Sequence, residues 1–287
     1  MRLERDSSLH LEGIVYWNYR YPPKKTEKKV NFMVQSSADK KLPLLNKIPE
    51  PLKTLINKIR EEHYPELYEP EADGTACLDD ALNDILDVFQ NSGKTLCHLR
   101  YVWLALILAL VVEPTVKSYQ PQNNFTQSTL ELLERWIFSQ IDSDLSSKKL
   151  QIELQQEIDN LEAIVAEPID PVQTGDIANL QIISESRDVF KNAIRVLDRE
   201  QAKDATLEIL QDCLEGYAIF PGSSGRRDLF DWWLLEVVPA SWYLLSPRAL
   251  YVGEWLENQE EFQLERIKKL QEISSQVRSI FTKNAST

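Results

Sequence analysis

The stretch Lys94–Glu113 reads KTLCHLRYVWLALILALVVE, and its segment Tyr101–Val112 holds 12 residues without a charge. Its apolar residues keep to no single side of a 3.6-residue turn. A helix that is apolar all round gains nothing from water on any face, so it belongs inside a shell of other elements. Twelve residues are too few to cross a bilayer, which takes about 20 in a helix. The expected element is a buried central helix, with His98 and Arg100 at its polar start and Pro114 as its stop.

The flanking sequence supplies amphipathic helices for that shell. Leu78–Gln90 sets Leu78, Leu82, Ile85, Leu86 and Phe89 at helical spacing. Leu52–His63 repeats the pattern with Leu55, Ile56 and Ile59, and Pro65 is expected to limit it. Ser128-Thr-Leu-Glu131 reads as a capping box that opens a helix reaching Ile141. A stripe of Leu150, Leu154, Ile158, Leu161 and Val165 marks the next helix, from Ser146 or Ser147 to Ala166. Asp176–Arg199, Ala202–Tyr217, Arg248–Asn258 and Glu260–Thr282 are read as four more.

Residues 1–40 differ. Gly13–Tyr21 and Val30–Val34 are rich in aromatic and β-branched residues, which favour strands. Between them Pro22–Lys29 holds four lysines and reads as a solvated hairpin loop. The fold class is therefore mainly α: an irregular multi-helix bundle with a small N-terminal β hairpin. The expected divisions are 1–40, a helical subdomain over 41–166 and a second over 176–287, with Glu167–Gly175 between them. The two helical parts also read as one continuous domain. No fixed-period repeat is present.

Of the 287 residues, 43% are hydrophobic and 27% charged, so a core can form. The net charge of −13 argues against broad electrostatic binding to nucleic acid or to anionic membranes. It suits a basic protein partner. Cys77, Cys97 and Cys213 are odd in number and widely spaced, which fits a reducing compartment rather than a disulfide framework. MRLERDSSLH lacks the apolar core of a secretory signal. The expectation is a cytoplasmic protein without a membrane-inserted segment.

Gly216–Pro247, GYAIFPGSSGRRDLFDWWLLEVVPASWYLLSP, is the densest stretch for function. Gly222, Ser223, Ser224 and Gly225 form a loop by turn chemistry, followed by Arg226 and Arg227. Asp228 is the expected N-cap of a helix from about Leu229 to Val238, which Pro239 ends. Free backbone N–H groups and two guanidinium groups suit a phosphate or a carboxylate. The bland alternative is a capped helix whose arginines pair with acids of the same chain. Trp232 and Trp233 point about 100° apart on a helix, so one of them is expected at a core edge or in a binding groove.

Glu61–Asp87 holds ten acidic residues and no lysine or arginine. Asp80, Asp84 and Asp87 fall on one helix face, opposite the apolar one. They read as a solvated face or as a dock for a basic partner. Asp79-Asp80-Ala-Leu-Asn-Asp84 resembles, over six residues, the aspartate-rich helix motif of terpene synthases. The spacing departs from that motif and its second metal motif is absent, so neither activity nor metal is carried over. Zinc, dithiol, nucleotide-loop and nucleophile-elbow motifs are also absent. No catalytic residue, metal ligand or cofactor is assigned.

The leading reading is a non-catalytic intracellular protein-binding or adaptor module, of the kind an acidic inhibitor or immunity-type protein represents. The second is an enzyme or binder of a phosphorylated small molecule that uses Gly222–Arg227.

Overall fold

In the computed structural model, the structure describes residues 44–68, 77–90, 93–142, 148–168, 177–219, 225–252, 256 and 258–284. The expected β hairpin and its lysine loop lie outside the described residues. Among those residues the protein is helical and has no strand. The helices are α1 (Glu50–Tyr68), α2 (Leu78–Gln90), α3 (Lys94–Tyr119), α4 (Phe125–Ile141), α5 (Lys148–Val165), α6 (Ile177–Arg195), α7 (Ala202–Leu214), α8 (Gly225–Trp232), α9 (Val238–Tyr243) and α10 (Gln259–Asn284). One π turn, Trp233–Val237, joins α8 to α9.

Everything is arranged around α3. Each of its residues from His98 to Val116 is buried. Helices α2, α4, α6, α7 and α9 pack directly on it. α5 covers α4 and α6, α1 covers α2, and α10 lies on α4. One hydrophobic core runs from Ile48 to Val277, and Leu42–Thr287 forms a single unit. α3 is 26 residues long, so it has the length and apolar character to cross a membrane, and 83% of its apolar window is buried within the fold.

Three prolines read as stops are not stops. α1 runs through Pro65 to Tyr68, and α3 runs through Pro114 to Tyr119. Pro114 and its neighbours are buried on all sides, and packing there outweighs the lost hydrogen bond of roughly 3 kcal/mol that an exposed helix would feel. Pro239 sits at the start of α9, just after the π turn, where Val238 N–H donates to Trp233 O. A change of helical register leaves one N–H without a partner, and proline has none to lose.

Other expectations differ too: the helices expected to reach Arg199 and Tyr217 end at Arg195 and Leu214. α4 starts at Phe125, ahead of the expected Ser128 cap, because Asn123 Oδ1 accepts the Phe125 N–H at 3.0 Å and the Phe125 ring is buried. The described part of Arg248–Asn258 is not helical. Leu244 turns the chain with φ 54°, and the carbonyls of Leu245 and Ala249 accept the indole N–H groups of Trp103 and Trp232, both at 2.9 Å. The Ala249 carbonyl is thus taken by an indole rather than by a helical N–H.

Side chains also tie the shell to α3. Arg100 Nε donates to Trp242 O at 2.9 Å, and its guanidinium lies 3.5 Å from the centre of the Trp242 ring. Burial pushes the Arg100 pKa down to about 10, so it still carries its charge at neutral pH. Trp103→Phe keeps most of the packing and deletes the Leu245 bond. The expected cost is about 1–2 kcal/mol in urea unfolding, with unchanged helix content.

Candidate functional site

The arginine pair lies in the first turn of α8, which begins at Gly225, three residues before the expected Asp228 cap. Gly225 has φ +74°, a backbone shape that glycine adopts without strain. Gly222, Ser223 and Ser224 lie outside the described residues. Arg226 Nη1 donates to Leu214 O at 2.7 Å and to Gly216 O at 3.0 Å, and its guanidinium lies 5.5 Å from the centre of the Tyr217 ring. It caps the C-terminal end of α7, where a cation meets unpaired carbonyls and the negative end of the helix dipole. Arg227 is exposed and acts on Asp231 by charge.

Both tryptophans of the pair are buried. Trp233 is fully buried against Phe230, with ring centres 5.5 Å apart. Trp232 is buried under the return segment, bonded to Ala249 O and 5.9 Å from the Tyr251 ring. The divergence of adjacent helical side chains stands, but the body closes over both directions.

The acidic face of α2 does lie open. Asp80, Asp84 and Asp87 are exposed. Asp87 pairs with Lys203 of α7 at 2.6 Å, and Asp79 accepts the Gln211 amide at 2.7 Å. Those contacts join α2 to a second acidic feature that the sequence reading missed. Between α6 and α7 lies an open cavity of about 250 Å³ lined by Asp188, Lys191, Asn192, Glu208, Gln211 and Asp212.

Four carboxylates act on one another in and beside this groove. Glu185 and Asp188 lie one turn apart on α6, and Glu208 and Asp212 one turn apart on α7. Glu208 is paired with Arg195 at 2.7 Å. Glu185 accepts the Tyr217 N–H. Asp212 is pushed up to about 7, first by burial and then by the charges of Asp188, Glu185 and Glu208. Asp188 is also raised by burial, with Glu208 and Glu185 adding to the rise and Lys191 and Arg187 opposing it. The missed signal was a same-sign pair one turn apart on each of two consecutive helices.

The turn closing this groove is held from both sides, by Glu185 on an N–H and by Arg226 on two carbonyls. Gly216 belongs there for space: a Cβ would stand 2.6 Å from both Asp212 O and Glu185 Oε2.

His98, buried, and Cys97, partly buried, lie near the start of α3. His98 Nε2 bonds Val196 O at 2.7 Å, and burial lowers its pKa. Burial raises the thiol pKa of its neighbour Cys97. Among the described residues, no group of three or more His, Cys, Asp or Glu side chains is placed to hold a metal ion. The described residues form an α-helical body with an acidic groove between α6 and α7. The chain matches no protein-family model, no curated protein and no solved structure.

Gly216→Ala should cost about 1–3 kcal/mol in urea unfolding, because an added methyl overpacks a turn fixed on both sides. Asp212 supplies a pH signature. Its folded pKa lies above the ordinary value of 3.8, so the unfolded chain gives up the proton first. Stability should fall as pH rises from near 4 to near 7. Asp212→Asn should exceed the parent at pH 8 by about 1–2 kcal/mol, discounted for its partial contact with water, and match it at pH 4.

Proposed function

We propose that this protein is a binding module that takes a basic protein partner on the acidic face of α2, α6 and α7. The observation that carries the reading is the α6–α7 groove, where Asp188 and Asp212 meet under the influence of Glu185 and Glu208. Carboxylates crowded in this way gain more from an incoming ammonium or guanidinium than isolated surface acids do. Exposed Asp80 and Asp84 extend the same sign of charge across α2. The net charge of −13 speeds the approach of a cationic partner.

An inhibitor or immunity-type role for a basic target fits this chemistry, in a reducing cytoplasm where the free Cys77, Cys97 and Cys213 remain thiols. The alternative, a phosphorylated ligand at Gly222–Arg227, has less support, because Arg226 is committed to the carbonyls of Leu214 and Gly216.

The test uses a lysine- and arginine-rich peptide titrated against the full chain. Binding should weaken steeply between about 50 and 200 mM salt, as exposed charges are screened. Asp188→Lys with Asp212→Lys should weaken it at least about 10-fold. Glu260→Lys with Glu261→Lys, the same charge change on α10, should have a much smaller effect. Equal losses from the two pairs would show that net charge alone is at work and would remove the groove from the account.

A further inference from the structure

We propose that α10 is a strap that docks and releases as a unit, keyed into place by Glu113. Among the described residues Glu113 is the one carboxylate that is fully buried. It lies in the apolar body of α3, with Lys117 Nζ 2.7 Å from Oε1 and Arg266 Nη2 2.6 Å from Oε2. Lys117 belongs to the same helix and is 45% exposed, whereas Arg266 comes from α10 and is 15% exposed. The shielded cation of the pair is thus delivered by the C-terminal helix.

A buried pair of this kind adds little net stability, yet losing Arg266 is costly, because the buried carboxylate then keeps only the half-exposed Lys117, on one of its two oxygens. That asymmetry makes it a key. A slip of α10 by one turn would bring Phe262 or Leu270 to the carboxylate in place of the guanidinium.

The rest of the hold is narrow. Among the described side chains of α10 the buried positions are Leu270, Ile273, Ser274 and Val277, with Ile267 and Ile280 partly buried against the core. Ser274 Oγ donates to Leu244 O at 2.7 Å, and Lys269 meets Glu134 at 3.5 Å. Helix α4 is the main neighbour. Leu264, by contrast, is 71% exposed. An element with so few buried contacts opens more readily than a core helix. Release would present the seat of Leu270, Ile273 and Val277, with the Glu113 carboxylate beside it.

Hydrogen exchange of the full chain at neutral pH tests this. Amides of Leu270–Val277 should exchange at least about 10-fold faster than those of Val102–Val112, without loss of protection in the latter. Arg266→Met should speed α10 by roughly another 10-fold and leave α3 unchanged. Adding Glu113→Gln to Arg266→Met should restore much of the protection, because a neutral amide no longer needs the cation. Exchange of α10 at the rate of α3 in the unaltered chain would overturn the proposal. So would an Arg266→Met effect spread equally over both helices. If that variant does not fold, the unaltered chain decides.

Discussion

A helix without a polar side cannot rest on a surface, and α3 imposes that constraint on every other element. Its residues from His98 to Val116 need cover in all directions. Five helices supply it directly. The resulting order is a centre, a first ring and an outer layer of α1, α5, α8 and α10. The few polar groups on α3 then act as anchors. His98, Arg100 and Trp103 each bind a backbone carbonyl of a covering segment, and Glu113 binds a cation of α10. Apolar burial holds the shell in place, and these polar contacts fix which segment lies where.

The same logic places the acidic groove. Helices α6 and α7 are successive and pack closely on each other and on α3, so their apolar stripes turn inward and their acid-bearing edges meet outside. Desolvation and like charge then act together on Asp212. The turn that follows is pinned by Glu185 and by Arg226, which spends on a helix end the charge that the sequence offered as an anion ligand. Arg226 donates to the carbonyls of Leu214 and Gly216.

Much of the helical order was readable because burial leaves a periodic trace. α2 was bounded at Leu78 and Gln90, and the α5 stripe fell where periodicity put it. Proline misled at Pro114, because its cost is local while the packing that outweighs it is not, and at Pro239, because the π turn puts it at a helix start; α1 also runs through Pro65. Arg248–Asn258 misled in the opposite sense: the Trp232 indole reaches Ala249 at its start and the Trp103 indole reaches the preceding Leu245, and no local pattern announces them. For the site, Asp80, Asp84 and Asp87 were legible as an exposed face. The groove was not, since Asp188 and Asp212 become neighbours only when α6 folds back on α7.

The central claim is that carboxylates in this groove are held together against their own repulsion. The direct measurement is a carbon-13 NMR titration of the Asp212 side-chain carboxyl in the folded protein. The account predicts a midpoint near 7, moving down when Asp188 is changed to Asn. An ordinary midpoint near 3.8, indifferent to Asp188, would mean that the groove is well hydrated and carries no special demand for a cationic partner.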